Sequence, residues 1–89
     1  MKVFFLVYDE DIREKSLLRF LNTRKEILDW MTILPASIFL VSRHSLRHLT
    51  NLFSKKYPAA QFLITELETM QTDGMLPEEC WNFINLSDK

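Results

Sequence analysis

The side chains with chemical potential fall in four places. Asp9, Glu10 and Asp11 form an acidic turn directly after an apolar run. Arg43, His44, Arg47 and His48 form a local basic cluster. Ser37, a nucleophile in principle, and the lone Cys80 stand apart. The four-residue spacing of His44 and His48 is one that zinc sites use on a helix. Ser45 reads as the N-cap of that helix, however, which leaves His44 outside it and breaks the geometry. Arg43 and Arg47 near a helix N-terminus suit phosphate contact better, because free backbone N–H groups and the helix dipole attract anions there. The plainer reading of the cluster is a solvated polar face. Ser37 has no Gly-x-Ser-x-Gly elbow and no adjacent histidine. It reads as a strand-opening residue, or as one that hydrogen-bonds near a dimer axis. Cys80 lies beside Trp81 on an apolar helix face and reads as core. Asp11 and Glu14 have capping-box spacing, and the acidic turn sits where the positive end of a helix dipole favours it.

These residues need elements to position them. Val3 to Tyr8 is a continuous run of β-branched, aromatic and aliphatic residues, too short for a helix. It predicts a strand buried on both faces. From Ile12 to about Asn22, Ile12, Leu17, Leu18 and Leu21 mark one face of an amphipathic helix. No Gly or Pro marks its end between Thr23 and Asp29. Trp30–Leu34 and Ser37–Val41 predict two strands joined through Pro35-Ala36, an antiparallel pair. Leu46, Leu49, Leu52 and Phe53 mark a second helix, with Lys55 and Lys56 at its negative end and Pro58 stopping it. Gln61–Leu67 predicts a fourth, more polar strand. Thr69–Gly74 reads as a polar loop. A short helix follows within residues 75–85, with Pro77 in its first turn, and then a tail at 86–89.

The order strand, helix, strand, strand, helix, strand is the split βαβ arrangement. It predicts an α+β, ferredoxin-like βαββαβ sandwich: an antiparallel sheet with two helices on one face and a short C-terminal helix. The two central strands of that arrangement are the first and third, which here are the most uniformly apolar.

Length and composition bound the rest. Eighty-nine residues make one domain, 1–89, with a core at about 2–68. A domain this small has modest stability unless metal, disulfide or oligomerisation adds to it. With one cysteine and no zinc spacing, oligomerisation remains. The chain is 47% hydrophobic and 12% aromatic, an excess that suits a surface shared with a second copy. Net charge is −1, so the totals carry no strongly basic nucleic-acid footprint, although local patches are not excluded. No stretch reaches the roughly 18 apolar residues of a membrane span. Asp9-Glu10-Asp11 stands where a signal peptide would have its cleavage site. The expectation is a soluble cytoplasmic protein with no membrane partner.

Val7-Tyr8-Asp9, Trp30, Ser37-Ile38-Phe39, Leu63-Ile64-Thr65-Glu66-Leu67 and Leu76-Pro77-Glu78-Glu79-Cys80-Trp81 carry a resemblance that covers nearly the whole chain. The chain resembles the SinR-like branch of the small CRISPR adaptation nucleases (the second Cas protein), with VapD-type toxins as further relatives. The resemblance implies a ferredoxin-like homodimer. In nuclease members an aspartate ending the first strand binds a divalent cation, and its two copies face each other across the dimer. Carried over, Asp9 would be the catalytic and metal-binding residue, with Mg²⁺ or Mn²⁺ activating water against RNA or DNA. The competing role for Asp9 is a plain turn or cap residue. Arg43 and Arg47 would contact phosphate. Ser37, Trp81 and Phe83 would serve packing or the dimer. The reading favoured on charge is a non-catalytic dimeric interaction module; the alternative is a metal-dependent endonuclease.

Overall fold

The computed structural model describes residues 1–68 and 71–87, with the side chains of residues 86 and 87 outside the description. The strands are β1 (Lys2–Tyr8), β2 (Asp29–Thr32), β3 (Ser37–Ser42) and β4 (Phe62–Glu66). The helices are α1 (Glu14–Thr23), α2 (Leu46–Lys56) and α3 (Glu78–Ser87). The sheet runs β2-β3-β1-β4, antiparallel at every pair. This is the ferredoxin-like α+β order, with the two apolar strands in the centre.

The pleat divides the apolar residues between two cores. Phe4, Leu6, Tyr8, Ile38, Leu40 and Ile64 meet α1 and α2 on one face. Leu17 and Leu21 are the buried residues of α1, and Leu49 and Phe53 those of α2. Both pairs are spaced by four, the period that keeps a helix on one face. On the other face α3 sets Cys80 and Ile84 against Phe39, with Phe5, Trp81 and Phe83 alongside. The rings of Phe39 and Phe83 stack with centroids 6.4 Å apart. β3, covered on both sides, is buried along all six residues.

Helix boundaries differ from the sequence reading at the start of α1 and at the ends of α3. The Asp11–Glu14 capping box does not form. α1 starts at Glu14 after Arg13, which has no side-chain cap. The reason is an earlier turn: the Asp11 N–H donates to Asp9 Oδ1 at 3.0 Å and the Ile12 N–H to the Asp9 carbonyl at 3.1 Å. At its other end α1 stops at Thr23, whose hydroxyl donates to the Phe20 carbonyl, and Arg24 is already extended. α3 begins at Glu78, one residue after Pro77, and runs to Ser87 in place of a tail from residue 86. The expected loop at 69–74 lies partly outside the described residues.

The connection between β2 and β3 is a tight turn. The Ser37 N–H donates to the Leu34 carbonyl at 3.1 Å. Pro35 supplies its fixed φ, and Ala36 takes a φ of 60°, the left-handed conformation such a turn requires at its third position. The Ala36 carbonyl then accepts from the Tyr8 N–H at 3.0 Å, which ties the turn to the end of β1.

Candidate functional site

Asp9 stands one residue past β1, half-buried. Its N–H donates to the Gln61 carbonyl at 3.2 Å, so it continues the ladder between β1 and β4. One carboxylate oxygen closes the turn described above. Oδ2 has no hydrogen bond among the described residues. Glu10 and Asp11 are exposed beside it. Tyr8 is buried, and that burial, with Glu14 nearby, pushes its phenol above its ordinary pKa. Among the described residues no group of three or more His, Cys, Asp or Glu gathers where an ion could sit.

Ser37 is buried and spent on its own turn: its hydroxyl donates to the Leu34 carbonyl at 2.9 Å and accepts from the Leu34 N–H at 3.2 Å. Trp81 and Phe83 pack on the chain's own sheet. Cys80 is buried in the same cluster. Arg43 and Arg47 are exposed around the start of α2. Ser45 caps that helix, accepting from the His48 N–H at 3.1 Å. The two imidazoles nevertheless meet. His44 and His48 stack with centroids 4.2 Å apart, ring over ring.

Comparison with known proteins returns no match. No family model fits the chain, and no curated protein and no solved structure matches it.

Two features lay outside the sequence reading. The first is Glu26, only 7% exposed beneath α2. Arg24 donates to it twice, from Nε at 3.2 Å and Nη2 at 3.1 Å, and His48 Nε2 lies 3.5 Å from Oε2. The Arg24 guanidinium is the main reason its carboxyl falls to about 2 from an ordinary 4.5, with a smaller contribution from His48. The backbone is held too: the Glu26 carbonyl accepts from Ser42 Oγ at 2.7 Å, and that hydroxyl accepts from the His44 N–H. The signal available in the sequence was the spacing of Arg24 and Glu26. The two side chains meet across a tight turn, which the Ile27 N–H closes on the Arg24 carbonyl at 3.2 Å.

The second feature is the open edge of β4. The bonds from Asp9 to Gln61 and from Leu67 to Val3 fix the alternation of the ladder. Gln61, Leu63, Thr65 and Leu67 turn their backbone groups toward β1. Phe62, Ile64 and Glu66 turn theirs outward. On the face that carries α3, Leu63 is 67% exposed. Val7 beside it is 37% exposed. Val7 pairs in turn with Ser37, next to Leu34, which is 57% exposed. Leu63 and Val7 are cross-strand neighbours that α3 leaves exposed, and exposed Leu34 stands beyond them in the β2–β3 turn, where Ile33 is the residue opposite Ser37. The opposite edge differs: β2 has only four residues and begins on the charged Asp29.

Proposed function

We propose that this chain is a non-catalytic interaction module that works as a homodimer, joined through the β4 edge and the exposed side chains of Leu63, Val7 and Leu34. The observation that carries the reading is Leu63, two-thirds exposed on an edge strand. Edge strands are normally protected by charge, proline, bulges or a covering element. Here a single Lys2–Glu66 pair at 3.9 Å stands at one end of β4. Antiparallel pairing of β4 with its copy would satisfy the outward groups of Phe62, Ile64 and Glu66 and set Leu63 beside the partner strand's side chains. Homodimerisation is also what the resemblance to SinR-like proteins implies. A cytoplasmic setting agrees with a lone, buried Cys80. Light scattering at tens of micromolar tests the reading: a dimer supports it, and a monomer counts against it.

One observation favours a second reading, the metal-dependent endonuclease. Asp9 ends β1 with one carboxylate oxygen unbonded among the described residues; a two-fold that packs sheet faces together would bring its two copies nearer, whereas pairing of β4 edges alone keeps the two β1 strands about 14 Å apart. Like charges at close range repel unless a proton or a cation relieves them. Mg²⁺ or Mn²⁺ would suit that pair, with Arg43 and Arg47 as contacts for RNA or DNA phosphates. The test is cleavage of labelled RNA and duplex DNA with either metal, beside Asp9→Asn. Metal-dependent cleavage abolished in the variant supports the nuclease, whereas equal background in both proteins removes it.

A further inference from the structure

The near-neutral total conceals a separation of charge. Residues 12–57 hold nine of the eleven Lys and Arg residues and three of the twelve Asp and Glu residues. That segment comprises α1, α2 and the β2–β3 hairpin with their connections, so it is strongly positive and the remainder of the chain negative.

Part of this positive charge converges on a cavity. An open groove of about 910 Å³ lies between the end of α1 and the later turns of α2. Phe20 and Leu52 give it an apolar wall; Arg24, His48, Lys55 and Lys56 line it as well. Lysines in the last turn of a helix ordinarily complement the dipole there. Lys56 reaches across to α1 instead, with Nζ 5.6 Å from the centroid of Phe20. The Arg24 guanidinium carbon lies 5.9 Å from the same ring. Among the described residues Lys55 and Lys56 have no ion pair. The one carboxylate in the groove, Glu26, is engaged by Arg24 and His48 and leaves both lysines uncompensated.

We propose that this groove binds a small phosphate-bearing anion. Lys55 and Lys56 hold the phosphate charge, and Phe20 offers a flat wall to any ring attached to it. Two uncompensated ammonium groups call for a multiply charged ligand, and ammonium groups are effective point-charge partners for phosphate. The volume lies within the roughly 300–1,000 Å³ usual for small-ligand sites. The site is on the α1/α2 face, away from Leu63, and stands whether or not the chain dimerises.

The probes are inorganic tripolyphosphate, ATP and adenosine, titrated into the full chain at low salt by calorimetry or NMR. Tripolyphosphate and ATP should bind in the millimolar range or tighter, and adenosine should not. ATP binding more tightly than tripolyphosphate would identify a ring contact with Phe20; equal binding would assign the site to phosphate alone. Lys55→Gln combined with Lys56→Gln should weaken both about tenfold or more, a loss of about 1.4 kcal/mol or more. Both side chains are exposed, so this variant keeps its fold, which circular dichroism verifies. Arg13→Gln with Lys15→Gln, exposed and outside the groove, should leave affinity almost unchanged. No binding at several millimolar, or an equal loss in both double variants, would overturn the proposal.

Discussion

Glu26 is the residue whose electrostatics are best defined. Its carboxyl is held near 2, below the ordinary 4.5, so the folded state favours the charged form. That contribution is fully present above the ordinary value and is lost as pH falls from there toward 2. Denaturant midpoints measured across this interval should therefore fall more steeply for the wild-type chain than for Glu26→Gln. At neutral pH the same substitution should cost about 1–2 kcal/mol, because it weakens two charge-assisted hydrogen bonds in a buried position. Asp9 separates two roles in the same way. Asparagine keeps a side-chain oxygen for the Asp11 N–H, so Asp9→Asn should leave stability within about 0.5 kcal/mol. Asp9→Ala removes the turn bond and should cost about 1 kcal/mol. A thermal melt of the two variants would show whether Asp9 is a turn residue before any activity is assayed. Ser45 was legible as a cap because a short hydroxyl side chain ahead of a periodic apolar run has few other uses. Glu26 was not, because its partners come from α2 as well as from its own segment.

The strands could be read from sequence because a six-residue run such as Val3–Tyr8 leaves the chain no helical alternative. The position of α3 could not. Its Cys80, Ile84 and Phe83 are apolar, but nothing local says which face of the sheet they cover. The start of α1 was misplaced for a related reason: Asp9 and Asp11 compete for the same turn, and the Asp9 side chain wins. The cap of α2 is where an element's stability can be tested cleanly. Ser45→Ala should destabilise the fold by about 1 kcal/mol in chemical denaturation, with little change in the denaturant slope. A shift below a few tenths would mean that water replaces the hydroxyl at no cost.

At the scale of the molecule, two properties were hidden by averages. A net charge of −1 says nothing of residues 12–57, which carry nine of the eleven Lys and Arg residues. A hydrophobic fraction of 47% suggested a shared surface without locating it. The structure locates exposed apolar side chains at Leu63, Val7 and Leu34, beside the backbone groups of an edge strand. The proposed dimer rests on that exposed surface, and the paired-Asp9 proposal rests in turn on a dimer. Leu63→Lys isolates it, since the side chain is exposed and an edge lysine opposes strand pairing. Sedimentation equilibrium of the wild-type chain and of Leu63→Lys at tens of micromolar is the most direct test. The wild type should show a dimer mass and the variant a monomer mass, with the variant still folded. A monomeric wild type, or a dimer that Leu63→Lys leaves intact, would contradict the proposed dimer.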